Sequence, residues 1–286
     1  MLTQKSASAR IWYARVYDLL VPWLKDPCEC KAISRRLLSY YLGYDLNKHV
    51  LEEVLTADDA TLQALNEALG RLQADEPIQY ILGEAPFLAH TLQVSPSVLI
   101  PRPETEEMVN AILQENDLRG ARVLDICTGS GCIALAIQKA YPTSVVHALD
   151  ASKKALALAE KNGIALGANI TWHHLDFLKE EVPSGAWNLL VSNPPYIPVS
   201  EKKGMGKRVV EHEPMEALFV PDDKKCLFYE KIASLAKTHL TKKGHVYVEF
   251  HAPLAREVEA VFLQHSFNVR IYRDLQGQER WLAANS

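Results

Sequence analysis

From residue 121 onward the chain alternates between short apolar runs and stretches of helical periodicity. That alternation limits the possible folds more than any other feature of the sequence. Residues 122–126, 144–149, 170–173, 187–192 and 244–250 read as strands. Residues 132–140, 153–162, 228–240 and 252–265 read as helices between and after them. Strands joined through helices run parallel and are covered on both faces. Two closing runs, 267–274 and 279–284, face each other across Gln276-Gly277 and read as an antiparallel hairpin at the sheet edge. The pattern predicts an α/β protein with a mostly parallel, Rossmann-like sheet, and the runs above make seven strands.

The first quarter of the chain is built differently. Residues 11–23, 29–42 and 60–72 space their apolar side chains three or four apart, as amphipathic helices do. Gly43 is placed to stop the second, and Asp58 or Asp59 to cap the third. These segments predict a small helical N-terminal domain over 1–75. Pro77 opens a change of pattern: 80–87 and 91–94 read as two strands around a turn, a β-hairpin linker over 76–100. The third region, 101–286, begins with Pro101-Arg102-Pro103-Glu104-Thr105-Glu106. There two prolines fix the backbone, and a helix can open at Glu104 and reach about Glu115.

Bulk properties narrow the functional classes. Lys and Arg number 31 against 35 for Asp and Glu, a net charge of −4, which disfavours a protein that grips nucleic acid over its whole surface. The five cysteines, at 28, 30, 127, 132 and 226, are odd in number and do not suggest a disulfide framework. Cys28 and Cys30 read as thiols on a helix, His173 and His174 point to opposite sides of a strand, and no metal is expected. The polar start lacks the apolar core of a secretory signal, and no run of about 18 apolar residues occurs. The expectation is a cytoplasmic protein that does not enter a membrane.

Three features, each following its strand, outline a ligand pocket. Asp125-Ile126-Cys127-Thr128-Gly129-Ser130-Gly131 joins the first strand to its helix, and its glycines permit a tight turn and close approach of a ligand. It departs from the dinucleotide pattern G-x-G-x-x-G, with Cys127 where a first glycine is expected, and it lacks the Gly-Lys-Ser/Thr of a phosphate loop. Asp125 would repel a phosphate and suits the ammonium of an amino-acid tail. The plainer alternative is an ordinary βα turn. Asp150, at the end of the second strand, can accept hydrogen bonds from two ribose hydroxyls or can brace the helix that starts beyond Ser152. Asp176 can accept from an adenine amino group while Phe177 packs on the base.

Asn193-Pro194-Pro195-Tyr196 follows the fourth strand, where α/β enzymes place their chemistry. Two prolines stiffen the backbone so that the Pro194 carbonyl can be aimed outward. The Asn193 side-chain oxygen is a second acceptor, and Tyr196 offers a flat face to a planar group. Two converging acceptors can hold both hydrogens of an NH2 group. The plainer alternative is a proline-rich turn with a core tyrosine. The segment 201–208, charged and carrying Gly204 and Gly206, reads either as a rim of this site or as a solvated loop.

Taken with these motifs, the sequence resembles the release-factor glutamine methyltransferase family, a branch of the seven-stranded S-adenosylmethionine methyltransferases. The resemblance runs nearly end to end. It includes Pro77-Ile78-Gln79-Tyr80-Ile81-Leu82-Gly83, the Pro101–Glu106 motif, Asp125–Gly131, Asn193–Pro198, Glu213-Pro214 with Ala217-Leu218, and Asp274 with Gly277 and Arg280. It implies methyl transfer from S-adenosyl-L-methionine, with S-adenosyl-L-homocysteine as product, to the glutamine N5 in the Gly-Gly-Gln motif of class I peptide chain release factors. Cys127, Thr128, Gly129, Ser130 and Gly131 would line the methionine end, Asp150 would take the ribose, and Asp176 and Phe177 would border the adenine. Asn193, Pro194, Pro195 and Tyr196 would hold the glutamine, with Asn193 also facing the cofactor. The helical domain would recognise the protein substrate. A monomer is expected, without a stable nucleic-acid complex. The family's first loop position is commonly glycine; cysteine is small enough there provided its backbone needs no positive φ. The competing reading is an adenine-N6 methyltransferase acting on DNA or RNA, which shares the Asn-Pro-Pro-Tyr tetrad but would have to flip its base.

Overall fold

The computed structural model describes residues 2–44 and 51–286. The chain divides into two compact units, Met1–Gly83 and Glu84–Ser286. In the first, β1 (Ser6–Ser8) leads directly into α1 (Ala9–Leu20), followed by α2 (Pro27–Leu42), β2 (Val54–Thr56), α3 (Asp59–Gln73) and α4 (Ile78–Leu82). Asp26 caps α2 by accepting from the Cys28 N–H at 2.8 Å, Pro27 supplies the first turn, and Gly43 at φ 65° ends it. Asp58 rather than Asp59 caps α3, accepting from the Thr61 N–H at 2.7 Å. Trp12, Leu37 and Leu65 are fully buried in the core between these helices. The Trp12 indole donates to the Leu55 carbonyl at 3.1 Å, tying α1 to β2.

Two features here differ from the sequence reading. β1 and β2 pair antiparallel, Ala7 opposite Leu55, in segments too short to show an alternation of their own. Residues 80–82 are not the first half of a hairpin strand but part of α4, a single turn bracketed by Pro77 and by Gly83 at φ 72°. A short run such as Tyr80-Ile81-Leu82 has no period to separate strand from helix.

The second unit opens with the hairpin itself, β3 (Glu84–Phe87) against β4 (His90–Gln93). Its other elements, in order, are α5 (Pro103–Glu115), β5 (Arg122–Ile126), α6 (Cys132–Ala140), β6 (Val145–Asp150), α7 (Lys153–Leu166), β7 (Ile170–His174) and β8 (Trp187–Ser192). They continue with β9 (Ile197–Pro198), α8 (Lys207–His212), β10 (Phe219–Val220), α9 (Leu227–His239), β11 (Leu240–Glu249), α10 (Ala255–Gln264), β12 (Asn268–Arg273) and β13 (Glu279–Asn285). Seven of the strands form one sheet in the order β12-β13-β11-β8-β5-β6-β7, with only β13 running against its neighbours. Side chains of α5 and α6 bury one face, and those of α9 and α10 bury the other. Successive residues of β5 serve both, Val123 packing in the first cluster and Leu124 in the second. The chain leaves β5 toward β6 and β7, then returns to build outward from β8. The strand order therefore reverses between β5 and β8, and such a switch point leaves a crevice at the carboxyl ends of the strands.

Candidate active site

The switch point sets the loops after β5 and β8 side by side. Ile126 pairs with Ser192 at the ends of the two strands, and the Ser192 hydroxyl donates to the Ile126 carbonyl at 2.7 Å. A cavity of about 440 Å³ opens beyond them. It is lined by Arg102 and Thr105, by Cys127, Thr128, Gly129 and Ser130, and by Asp150, Asp176, Phe177, Asn193 and Pro195. An adjoining cavity of about 190 Å³ shares Arg102 and Asn193 and adds Pro194 and Tyr196. Of the residues expected to bind cofactor or substrate, Asp125 and Gly131 line neither cavity.

The loop after β5 takes its shape from the backbone. Cys127, Gly129 and Gly131 have φ of 62°, 56° and 83°. A Cβ on Gly131 would stand 3.1 Å from both Leu135 and Trp172, so glycine allows close packing there as well as the turn. Cys127 does occupy the left-handed region, so the condition attached to a cysteine at this position fails and the residue is strained. Asp125 lies behind the loop, fully buried. Its Oδ2 accepts from the Thr128 hydroxyl at 2.6 Å and from the Ala134 N–H at 3.2 Å, tying the loop to the first turn of α6. Burial without a cation beside it pushes the carboxyl up to about 7.

Asp150 braces the same loop from β6. One oxygen accepts from the Gly129 N–H at 2.9 Å and the other from the Ser152 N–H at 2.8 Å, while Ser152 itself caps α7. Burial raises this carboxyl too. Each oxygen keeps acceptor capacity toward the cavity that it borders. Asp176 accepts from the Leu178 N–H and pairs with Lys179 at 2.7 Å, whose ammonium holds it below the usual carboxylate range. Phe177 is buried, with the Lys231 ammonium 5.2 Å from its ring centre. The lining carries three carboxylates, Asp150, Asp176 and Glu216, against one basic side chain, Arg102. Such a cavity fits a cationic or zwitterionic ligand and disfavours a phosphate.

The loop after β8 is held by side chains from distant elements. The Asn193 Nδ2 donates to the Thr105 hydroxyl at 3.0 Å, and Thr105 donates to Glu249 Oε2 at 2.6 Å. The Tyr196 hydroxyl donates to Glu249 Oε1 at 3.1 Å, and its ring stacks on His251 with centroids 6.3 Å apart. Glu249 is buried at the end of β11, and burial pushes it up to about 7. Tyr229 donates to its backbone carbonyl at 3.1 Å. The sequence reading did not select Glu249, although a lone acid between Val248 and Phe250 at the end of an apolar strand is a signal of this kind. In the sequence Thr105 stands out only as part of the Pro101–Glu106 motif. The Pro-Arg-Pro and Glu-Pro motifs meet here: Arg102 pairs with buried Glu213 at 2.5 Å, and Glu213 also accepts from the Ile100 N–H. The segment after the tetrad is a 3-10 helix, Val199–Gly204, followed by α8. Met205 and Val209 line the smaller cavity, which makes this segment a wall of the site.

With its NH2 engaged by Thr105, Asn193 has its amide oxygen left to accept. An acceptor at the junction of a cation-favouring cavity and a smaller, mostly apolar one can orient an NH2 group toward an electrophile. Relatives of known class were found over both units. A family model for a methyltransferase small domain matches residues 105–215, and one for the PrmC N-terminal domain matches residues 30–83. The release factor glutamine methyltransferase of Flavobacterium psychrophilum is 40% identical over 241 residues, covering 82% of this chain and 85% of that one. Its counterpart from Lactococcus lactis is 39% identical over 280 residues, covering 96% and 99%. Among solved structures, the T. thermophilus 16S rRNA N2 G1207 methyltransferase, in complex with AdoMet and guanosine, superposes with a TM-score of 0.51. It is 15% identical, covers 71% of this chain and 49% of that one, and shares the fold alone. The chain belongs to the release factor glutamine methyltransferase family.

Proposed function

We propose that this protein transfers a methyl group from S-adenosyl-L-methionine to the N5 amide nitrogen of the glutamine in the Gly-Gly-Gln motif of class I peptide chain release factors. Family membership supports the reaction class, and the observation that carries the assignment of the site is the orientation of Asn193, whose NH2 is bonded to Thr105. In this reading the larger cavity holds the cofactor, with the ribose on Asp150 and the base against Phe177 and Asp176. Thr128, Gly129 and Ser130 line its methionine end, and Asp125 acts behind them as the residue that holds the loop. The smaller cavity receives the glutamine, whose NH2 donates one hydrogen to Asn193 Oδ1 and the other to the Pro194 carbonyl. Tyr196 bounds the amide plane.

The cofactor supplies an activated methyl on a sulfonium. The residues of the chain have to aim the nitrogen along the line through that methyl carbon and the sulfur, and positioning of this kind can remove several kcal/mol from a barrier. An amide nitrogen is a poor nucleophile because its lone pair is shared with the carbonyl. Acceptors at Asn193 and Pro194 favour the positive charge that grows on it during transfer. The proton can leave to water afterwards. The helical unit is assigned to recognition of the protein substrate.

Labelled methyl transfer tests the reading. Intact release factor, the same factor with the motif glutamine replaced by alanine, and an adenine-containing oligonucleotide are offered side by side. Label in the first alone is expected; label in the oligonucleotide alone would favour the adenine-N6 reading.

A further inference from the structure

The bonds around Asn193 have a direction. An ionised Glu249 can only accept, so the single hydroxyl hydrogen of Thr105 goes to it. Thr105 then has only lone pairs to offer its other neighbour, and Asn193 must present its NH2 to them. That fixes the amide oxygen on the opposite side, toward the cavities that Asn193 lines. We propose that Glu249, acting through Thr105, is the positioning residue that sets which end of the Asn193 amide faces the substrate nitrogen, and that a proton on Glu249 reverses that polarity and switches transfer off. This inference rests on the acceptor role of Asn193 stated above.

The reversal needs only rotations. A protonated Glu249 donates its O–H to Thr105, the Thr105 hydrogen turns toward Asn193, and the amide flips to accept it with Oδ1. The NH2 of Asn193 then points where the substrate NH2 should sit, donor against donor. The proton comes from solvent and no covalent bond changes in the chain. The surroundings allow such a change near neutrality. Burial raises Glu249 to about 7 against the two hydroxyl donors that favour its charge. Glu104 from α5 raises it further and Arg280 from β13 opposes this. Arg280 is itself engaged by Asp274 at 3.1 Å. The hydroxyls of Tyr196, after β8, and Tyr229, on α9, touch Glu249 and are held neutral, both raised well above the ordinary tyrosine value by burial. His251 lies beyond, stacked on Tyr196 and paired with Glu201 at 2.8 Å.

The test is single-turnover methyl transfer to release factor at saturating cofactor, between about pH 5.5 and 9, with cofactor affinity measured on the same samples. The wild-type rate should level above neutrality and fall roughly tenfold for each pH unit below it, as one essential proton requires. Glu249→Gln should run roughly tenfold slower at its best and lose the acid limb, since its amide can face Thr105 with either end but no longer titrates. Thr105→Val should be slow at every pH, and Thr105→Ser should restore both rate and limb. Cofactor affinity should be unchanged in Glu249→Gln, since Glu249 lines neither cavity. An acid limb that persists in Glu249→Gln, or a Thr105→Val enzyme as fast as wild type, overturns the proposal.

A second readout needs no substrate and so separates this inference from the assigned reaction. The side-chain 15N–1H signals of Asn193 should titrate near pH 7 in the free wild-type protein and stay fixed in Glu249→Gln. Asp125 titrates in the same range, so Asp125→Asn is the control. The Asn193 titration should survive in it, and its disappearance there would move the switch to the loop after β5 and overturn the role of Glu249.

Discussion

The two loops that flank the switch point are built by opposite means. The loop after β5 holds its shape chiefly through backbone torsion, with three positive-φ residues within five positions and one carboxylate brace, Asp125, at its own start; a second, Asp150, reaches it from the neighbouring strand β6. The loop after β8 has no such residue; its prolines stiffen it, and side chains from α5 and β11, 88 and 53 residues away, fix its functional groups. The first loop is therefore a local device and the second a tertiary one. A local device tolerates change elsewhere in the fold and can serve many reactions with one ligand. A tertiary device makes the reactive geometry depend on the whole unit being folded, which suits a site where a donor facing the wrong way would stop the chemistry.

The sharpest way to break this division is to remove the acceptor. Asn193→Ala should cost two to three decades in single-turnover rate, or about 3–4 kcal/mol, the usual loss for one preorganised electrostatic contact. Cofactor affinity, measured by calorimetry, should remain close to wild type, because the larger cavity is walled chiefly by other segments. Asn193→Asp keeps an acceptor and the shape but adds charge beside a cationic ligand, and turnover should suffer there too. Rapid transfer by the Ala variant would reduce the tetrad to a structural turn.

Asp150→Ala is the reciprocal experiment and should have the next largest effect. Two backbone N–H groups lose a charged acceptor, and the assigned ribose hydroxyls lose theirs. Affinity for S-adenosyl-L-methionine should fall by about 1.5–3 kcal/mol, roughly ten- to a hundredfold, while the rate at saturating cofactor changes little. If both variants damaged binding and chemistry equally, the two loops would be one device and the distinction between them would be lost.

The same division decides what could be read from sequence. The seven strands of the sheet, the closing hairpin and the glycine loop follow from short-range pattern: apolar runs, spacing and turn residues. Asp150, Phe177 and Asn193 could be set at one cavity because each stands at the end of its strand or within three residues beyond it, and the topology brings strand ends together. Glu249 was not, because its importance comes from what β11 lies beside, and β11 reaches β8 only through the crossover that follows the tetrad. The pairing of Arg102 with Glu213 spans 111 residues and was equally invisible, though both residues lie in motifs that drew attention separately. Residues 80–82 read as strand in the sequence yet are helical, for the converse reason: the run is too short to carry a period.

The Arg102–Glu213 pair offers a smaller test of the tertiary side. Glu213 is nearly inaccessible, whereas the Arg102 side chain is 31% exposed, so solvent screens part of the attraction. Glu213→Gln keeps an acceptor for the Ile100 N–H but loses the charge. It should destabilise the second unit by about 1 kcal/mol and slow transfer more than it weakens cofactor binding, since Arg102 stands with Asn193 where the two cavities meet, away from the carboxylates assigned to the cofactor. Denaturant unfolding and single-turnover rates would check it. An effect on cofactor affinity alone would place the pair with the local device instead.

The smallest expected effect tests the local side, at Cys127. A residue with a Cβ in the left-handed region costs about 1–2 kcal/mol relative to one in the right-handed region, a cost that glycine avoids. Cys127→Gly by itself is ambiguous, because it removes strain, removes a side chain that packs against the core on that face of the sheet, and loosens the unfolded chain. The informative quantity is the difference between Cys127→Ala and Cys127→Gly. Alanine deletes the thiol and keeps the Cβ, so the step from alanine to glycine reports mainly the backbone. At an ordinary helical position glycine would be the less stable by about 0.5–1 kcal/mol. At φ 62° the order should invert, with glycine the more stable by about 1 kcal/mol and melting about 2–4 °C higher for a unit of this size. Calorimetric melting of the two variants reads the sign directly. If alanine proved as stable as glycine, Cys127 would not be held left-handed in solution. The loop after β5 would then owe its shape to Asp125 and Asp150, and it would be as dependent on side chains as the loop after β8.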